Sequence, residues 1–216
     1  MKVLIADDHP LFRAALRQAV LQAVPEAVTE EAQDIETLRA RAAAEPDLVL
    51  LDLLMPGGRS FAPLAWLRSQ HPATAVMIVS ATENPEVIRQ AQAFGAVAYV
   101  PKSAAPADLV AAIRCVADCG QWFPPGVLAP ARRPPEAEPS LATRLASLTP
   151  QQYRVLELVA LGRLNKQIAA DLGIEETTVK AHVSAALAKL GARNRTQASM
   201  VFRQLEISDS DQLTLD

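Results

Sequence analysis

Apolar residues in the first 120 positions follow two alternating patterns. Short aliphatic runs such as "VLIA" and "LVLL" indicate buried strands, and the stretches between them repeat apolar residues every three or four positions, as amphipathic helices do. Five alternating strand–helix units predict an α/β fold: a five-stranded, doubly wound parallel sheet with helices on both faces. The expected strands cover residues 3–6, 27–32, 48–52, 75–80 and 96–100.

The pattern changes after this region. Residues 121–146 are rich in proline and lack a helical period, so we expect an extended, semi-stiff linker there. Over 148–205 the helical spacing returns. A short helix capped by Asn165, a turn at Gly173 and a longer helix over 176–190 predict a helix-turn-helix. The predicted division of the chain is 1–120, a linker 121–146, a helical domain 147–205 and a loose acidic tail 206–216.

Charge divides the chain in the same way. The net charge of −3 at pH 7 combines an acidic part and a basic part. Residues 1–120 hold ten Lys or Arg against fourteen Asp or Glu, whereas residues 141–205 hold nine against four. The last eleven residues add four acids and no base. A basic block beside an acidic domain indicates nucleic acid as a partner of the C-terminal half.

Two further features bear on the location of the protein. No apolar run reaches the roughly 20 residues that span a bilayer, and the N-terminus has only a short apolar stretch before two acids, so we expect a cytoplasmic protein without membrane contact. Cys115 and Cys119 lie one helical turn apart, with no further Cys or His cluster to complete a metal site. We interpret them as small packing residues.

Polar residues stand where the predicted strands end. Asp7 and Asp8 follow the first strand, and Asp52 follows the third, where the pattern of a buried strand predicts an apolar residue. Ser80 ends the fourth strand, and Lys102 comes just after the fifth. Because these ends meet at one edge of an open α/β sheet, we expect the five side chains to converge. Three neighbouring carboxylates repel one another unless a cation is present, and Mg²⁺ suits their oxygens.

These residue types suit the handling of a phosphoryl group. Lys102 supplies a point charge and Ser80 a hydroxyl, which leaves Asp52 as a nucleophile able to accept the group. Taken singly, the residues have simpler interpretations, since the paired acids can start a helix and Asp52 can sit in a turn. His9 can be a ligand as well, but we interpret it as a residue at the start of the following helix.

Residues 1–120 resemble the receiver domain of two-component response regulators, which has a flavodoxin-like fold. The matching stretches are "IADDHP", "LLDLLMPGG", "IVSA" and "AYVPKS". The resemblance implies that Asp52 accepts the phosphoryl group, that Lys102 pairs with its oxygens, and that Ser80 and Tyr99 form a switch pair. The loop "MPGGRSF" lacks the Asp-Gly or Asn-Gly pair often found there. The Mg²⁺ ligands implied are Asp7, Asp8, Asp52 and the backbone carbonyl of Leu54.

The longer helix of the basic block has two contrasting faces. Its apolar face, which includes Val179, Val183 and Leu190, is expected in the core. The opposite face is built of small and polar residues, which let a helix lie close to base edges in a DNA groove, although alanine also favours helices in general. The candidates for contacts with the DNA backbone are Lys166, Thr177, Thr178, Lys189, Arg193 and Arg195.

Residues 148–205 resemble the LuxR-type DNA-binding domain, on stretches that include "NKQIA", "TVK" and "NRTQA". Joined to a receiver, this gives the NarL/FixJ type of response regulator. The resemblance implies that Lys180, Ala181 and Ser184 meet base edges. It also implies a dimer contact on the last helix, through Ala198, Val201, Phe202 and Leu205.

The two resemblances predict a transcription factor and not an enzyme. A sensor histidine kinase would phosphorylate Asp52, and the activated homodimer would bind double-stranded DNA. Two alternatives stay open. In one, the receiver is a constitutive dimer module and DNA binding does not depend on phosphorylation. In the other, the chain is a Mg²⁺-dependent phosphohydrolase, which would need a further acid or base and a substrate pocket.

Overall fold

The sheet of the N-terminal domain has five parallel strands in the order β2-β1-β3-β4-β5. A computed structural model describes residues 1–56, 60–126 and 141–203 of the chain. The predicted five-stranded, doubly wound fold is confirmed. The strands are β1 Lys2–Ala6, β2 Val28–Ala32, β3 Leu48–Leu51, β4 Ala75–Ser80 and β5 Ala98–Pro101. The helices of this domain are α1 Pro10–Ala23, α2 Ile35–Ala42, α3 Ala62–Gln70, α4 Pro85–Ala93 and α5 Pro106–Ala117.

The helices cover both faces of the sheet with separate apolar clusters. On one face, Leu38 of α2 and Leu64 of α3 pack with Val49 and Ile78 of the central strands. On the other face, α1 and α5 pack on alternate residues of the same strands. All four residues of β3 are therefore buried, which is why this strand is a continuous aliphatic run.

Over residues 141–203 the C-terminal part forms five helices: α6 Leu141–Ala146, α7 Pro150–Ala160, α8 Asn165–Leu172, α9 Glu176–Leu190 and α10 Arg195–Arg203. Thr149 caps α7, because its hydroxyl accepts a hydrogen bond from the backbone of Gln152 while the Gln152 side chain accepts one from the backbone of Thr149. Gly173 ends α8 with a φ of 63°, a left-handed conformation that favours glycine. The predicted bounds of α9 are confirmed.

Two local predictions were wrong. Asn165 is the first residue of α8 and not its cap. The capping position is Leu164, whose backbone N–H donates to the side chain of Gln167 at 2.8 Å. Helix α6 occupies the last six residues of the predicted extended linker. It forms there because Leu145 is fully buried in the apolar cluster that α3 helps to build.

The C-terminal part docks onto α2 and α3. The Tyr153 hydroxyl donates to the carbonyl of Ala62 at 3.0 Å, and the Ser69 hydroxyl donates to the carbonyl of Leu148 at 3.1 Å. Arg39 Nη2 lies 2.6 Å from Glu157 Oε1. The two parts therefore share one apolar cluster and several polar contacts across it.

Arg39 has a second partner at this junction. Its guanidinium carbon lies 5.5 Å from the centre of the Trp66 ring, a distance at which a cation is attracted to the ring face. No helix within residues 1–56, 60–126 and 141–203 is long and apolar enough to cross a bilayer.

We expect Arg39→Glu and Glu157→Arg each to weaken docking, and the double reversal to restore the ion pair but not the contact of Arg39 with Trp66. Both side chains are partly exposed, so the pair contributes about 0.5–1 kcal/mol, and each single change shifts the docked population by about two- to fivefold. Small-angle X-ray scattering checks this through the radius of gyration. Arg41→Glu is the matched control, because Arg41 lies on the same helix and pairs with Glu30 inside the N-terminal domain. Unchanged scattering from both single variants contradicts the expectation.

Candidate functional site

The sheet brings the three predicted acids together. Asp7 and Asp8 follow β1, and Asp52 follows β3. These strands are neighbours in the sheet, with Ala6 opposite Leu51. The backbone N–H of Asp52 donates to the carbonyl of Ala6 at 2.9 Å, which places the third acid beside the first two. One potential metal-binding atom from each of Asp7, Asp8, His9 and Asp52 lies within 4.8 Å of the others.

Lys102 reaches this cluster from the far side. The backbone N–H of Lys102 donates to the carbonyl of Ser80 at 2.8 Å, because β4 and β5 are paired up to this point. Its ammonium nitrogen lies 2.7 Å from Asp7 Oδ2 and 2.8 Å from Asp52 Oδ2. Ser80 is fully buried at the end of the neighbouring strand. All five predicted side chains thus lie at one edge of the sheet.

Burial changes the pKa values of both Asp52 and Lys102. Asp52 is 3% exposed, and burial raises the pKa of its carboxyl more than the hydrogen bonds from Lys102 and Leu54 lower it. Burial opposes the charged form of Lys102 too, but its hydrogen bonds to Asp52 and Asp7 outweigh that effect and raise the pKa of Lys102. One ammonium group therefore faces two buried carboxylates, with a third acid, Asp8, beside them.

The donor set suits Mg²⁺. Carboxylate oxygens are hard ligands, and Asp8 is partly exposed, with 28% of its side chain accessible, so a hydrated ion can reach the site. The excess of negative charge is the kind that a divalent cation relieves. Leu54 donates its backbone N–H to Asp52 Oδ1 at 3.1 Å, which turns the chain back towards the acids directly after the strand.

Two supporting residues were missed by the sequence analysis. Arg13 donates to the backbone carbonyl of Asp7 at 2.7 Å and pairs with Glu31 at 3.0 Å, so it fixes the segment that carries the acids. The ring of Phe12 lies beside Lys102. Both residues lie in the first turn of the helix that follows the paired acids. The predicted helix already placed them next to these acids, which was the signal available in the sequence. His9 is the residue at the start of α1, and its Nδ1 lies 2.6 Å from Asp8 Oδ1.

Tyr99 has an inward orientation. Its side chain is fully buried, and its hydroxyl donates to the backbone carbonyl of Thr82 at 2.8 Å. Burial raises the pKa of the Tyr99 hydroxyl, so this group is a hydrogen-bond donor at all physiological pH values. Ser80 and Tyr99 lie on adjacent strands and are two residues apart in register, since Tyr99 is opposite Ile78, so both belong to the same face of the sheet.

The small-residue face of α9 is open to solvent although the two parts of the chain are docked. Its predicted contact residues are all exposed, namely Thr177, Thr178, Lys180, Ala181 and Ser184. Lys180 Nζ lies 2.9 Å from Glu176 Oε1, one turn earlier on the same helix. The opposite face carries the buried residues Val179, Ala186 and Leu190, and the predicted core residue Val183 is half-buried against the neighbouring apolar cluster.

The remaining basic candidates differ in their surroundings. Lys166 and Arg193 are exposed. Lys189 instead donates to the carbonyl of Ser147 at 2.7 Å and to Gln152 Oε1 at 2.9 Å, so its charge is used to tie α9 to the start of α7. Arg195 donates to the side chain of Asn165 and to the carbonyl of Arg163, an equivalent tie between α10 and α8.

The predicted dimer residues are divided as well. Ala198 is fully buried in the apolar core of its own chain, and Val201 is half-buried against the same cluster. The side chain of Phe202 and all of Leu205 lie outside the described residues. Met200, which the sequence analysis did not single out, is 57% exposed on this helix.

Comparison with known proteins decides the family. Residues 3–114 match the model of the response regulator receiver domain, and residues 146–202 match that of the bacterial regulatory proteins of the luxR family. The chain belongs to the LuxR-type response regulators. It is 39% identical over 204 residues to the glycerol metabolism activator of Pseudomonas putida, covering 91% of this chain and 92% of that one. It is 33% identical over 212 residues to the nitrate/nitrite response regulator protein NarL of Escherichia coli K12, covering 95% and 96%.

Solved structures confirm the architecture of this LuxR-type response regulator. The RcsB response regulator of Salmonella typhimurium superimposes with a TM-score of 0.55 at 23% identity, covering 94% of this chain and 98% of that one. At this identity the likeness concerns the fold. Membership of the family confirms the prediction of a DNA-binding transcriptional regulator and excludes the phosphohydrolase alternative.

We expect Asp52→Asn to stabilise the regulator in buffer without divalent cations. The change removes one of two buried carboxylates, and the amide oxygen can still accept from Leu54. A gain of about 1 kcal/mol raises the unfolding temperature by about 2–4 °C. Because the folded-state pKa of Asp52 is raised, its charge destabilises the fold at neutral pH. The gain should shrink as the pH falls through that pKa and the wild-type carboxyl takes up a proton.

Thermal unfolding with and without MgCl₂ checks this expectation. Mg²⁺ should stabilise the wild-type protein more than Asp52→Asn, because a ligand that binds the folded state raises its stability. Asp47→Asn is a matched control, since Asp47 is an exposed acid at the other end of the same strand. An unfolding temperature of Asp52→Asn below that of the wild type would show that the charge of Asp52 does not destabilise the folded protein.

Proposed function

We propose that this regulator is switched by phosphorylation of Asp52 by a sensor histidine kinase. The observation that carries the proposal is the contact of Lys102 with both Asp7 and Asp52 at a buried edge of the sheet. In the transfer, an oxygen of Asp52 bonds to phosphorus and the phosphorus–nitrogen bond of the donor phosphohistidine breaks. Lys102 then pairs with an oxygen of the transferred group instead of with the free carboxylate.

The acids beside Asp52 are proposed to hold Mg²⁺. Asp7, Asp8 and Asp52 would supply carboxylate oxygens, and the backbone carbonyl of Leu54 is assigned as a further ligand. When bound there, the ion neutralises charge on the carboxylates and on the transferred group. Arg13 supports this arrangement from outside by holding the backbone of Asp7.

The switch pair is proposed to report the added charge. A phosphoryl group on Asp52 adds a charge of about −1.5 to −2 and strong acceptors. The buried hydroxyl of Ser80 moves to donate to it. The ring of Tyr99, which already points inward from the adjacent strand, then fills the space that Ser80 vacates. The hydrogen bond of Tyr99 to Thr82 holds the ring in its inward position.

The exposed face of α9 is proposed to read double-stranded DNA. Lys180, Ala181 and Ser184 meet base edges, and the exposed side chains around them contact phosphates. The backbone contacts are assigned to Lys166, Thr177, Thr178 and Arg193. Lys189 and Arg195 form hydrogen bonds within their own domain, so their main role is to hold its helices together.

The activated form is proposed to be a homodimer through α10, so that two α9 helices meet half-sites about one DNA turn apart. Val201, Phe202 and Leu205 are assigned to this contact. Ala198 is fully buried in the core of its own chain, so it supports α10 from within and does not face a partner.

Phosphorylation of Asp52 is expected to raise DNA affinity. The wild-type protein, Asp52→Asn and the control Asp47→Asn are incubated with acetyl phosphate and Mg²⁺. Phosphoprotein is measured by intact-mass spectrometry, and DNA binding is measured on genomic fragments selected with the wild type. The wild type and Asp47→Asn should gain one phosphoryl group and bind more tightly, whereas Asp52→Asn should do neither. Equal affinity of all three proteins for DNA would favour the phosphorylation-independent regulator.

We expect Lys180→Ala to weaken specific DNA binding by about 1–3 kcal/mol if Lys180 meets a base, with relaxed preference at one position of the site. A phosphate contact would instead weaken binding evenly over sequences and lower the salt slope by about 1. Fluorescence anisotropy at several salt concentrations separates these two results. Arg89→Ala is the control, because Arg89 is an exposed basic residue on α4 of the receiver domain, away from α9 in the sequence. Unchanged affinity of Lys180→Ala would remove this residue from the interface.

A further inference from the structure

The ammonium group of Lys102 has a third neighbour that the phosphoryl chemistry does not require. An ammonium carries three N–H groups, and two of them face Asp7 and Asp52. The nitrogen also lies 4.6 Å from the centre of the Phe12 ring. A cation at this distance from an aromatic ring is attracted by the electron density of the ring face.

The Phe12 ring is held in place by apolar packing against the sheet. Phe12 lies in the first turn of α1 and packs against the apolar cluster that includes Val79 and Val100 of the two strands next to Lys102. The helix itself is anchored one residue later, where Arg13 binds the carbonyl of Asp7 and Glu31. The ring and the acids are therefore fixed to the same few residues of the chain.

The contact of Lys102 with the Phe12 ring does not involve Asp52, whereas one of its two ion pairs does. Transfer of a phosphoryl group changes the acceptor that Lys102 meets at Asp52, whereas the face of a phenyl ring stays the same. The ring also covers Lys102 on one side, and only 16% of the Lys102 side chain is exposed. A group with these properties can keep the ammonium near the reacting oxygens while its acceptors change.

We propose that Phe12 is a positioning residue for Lys102, holding the ammonium at the phosphoacceptor by a cation–π contact. This inference rests on the proposed function only for its effect on phosphoryl transfer. The contact itself exists in the unphosphorylated protein and can be tested there. Phe12 acts through Lys102 and does not touch the transferred group.

A spectroscopic test addresses the contact directly. Protons near a ring face are shifted upfield, so the Cε methylene resonance of Lys102 should lie upfield of those of exposed lysines in carbon–proton correlation spectra. Phe12→Leu keeps apolar volume and should abolish the shift, whereas Phe12→Tyr keeps the ring and should retain it. Leu11→Ala is the control, because Leu11 is 89% exposed on the same turn. A Lys102 resonance that is unmoved in Phe12→Leu overturns the proposal.

A kinetic test addresses the consequence. With acetyl phosphate as donor, Phe12→Leu should be phosphorylated about fivefold more slowly than the wild type, and Phe12→Tyr and Leu11→Ala should remain close to it. A single cooperative unfolding transition of Phe12→Leu shows that the variant is folded. Equal rates in Phe12→Leu and the wild type, or equal losses in Phe12→Leu and Phe12→Tyr, overturn the positioning role. If the wild type takes up no phosphoryl group, the proposed function fails, and the spectroscopic test still decides the contact.

Discussion

One ammonium group between two buried carboxylates organises the receiver domain. Lys102 reaches Asp7 and Asp52 from a third strand end, so the pairing of β1, β3, β4 and β5 all has to be correct for this contact to form. Burial makes both carboxylates expensive as isolated charges. The same constraint leaves a surplus of negative charge that a divalent cation would relieve. The same buried charges therefore determine both how the strand ends are arranged and why this edge attracts a cation.

Asp52 lies close along the chain to the helix on which the C-terminal part docks. Asp52 ends β3, and α3 begins at Ala62, the residue whose carbonyl accepts from Tyr153 of α7. Leu53, Met55 and Phe61, which flank this loop, belong to the apolar cluster that also contains Leu145 and Leu156 of the C-terminal part. Described residues on both sides of the loop after Asp52 thus share one apolar cluster with the part of the chain that carries α9.

The parts of the fold that depend on local pattern were predictable. Continuous aliphatic runs marked the buried strands, and the acids that interrupted them marked the site, because polar residues at strand ends converge in a parallel sheet. Contacts between distant segments were not predictable. Nothing in the spacing indicates that α6 packs on α3, that Lys189 binds Ser147 and Gln152, or that Ala198 faces inward. Each of these depends on tertiary partners and not on sequence neighbours.

The positions of the two tryptophans have a practical consequence. Trp66 lies at the junction of the two parts, under the guanidinium of Arg39. Trp122 pairs with Ala98 at the outer strand β5, on the opposite edge of the sheet from β2. The indole of Trp66 packs in the cluster that both parts share, so we expect its environment to change if the parts separate, whereas that of Trp122 packs in the cluster made of N-terminal residues. The chain therefore contains a built-in fluorescent reporter of its own opening, together with an internal reference, and needs no attached dye.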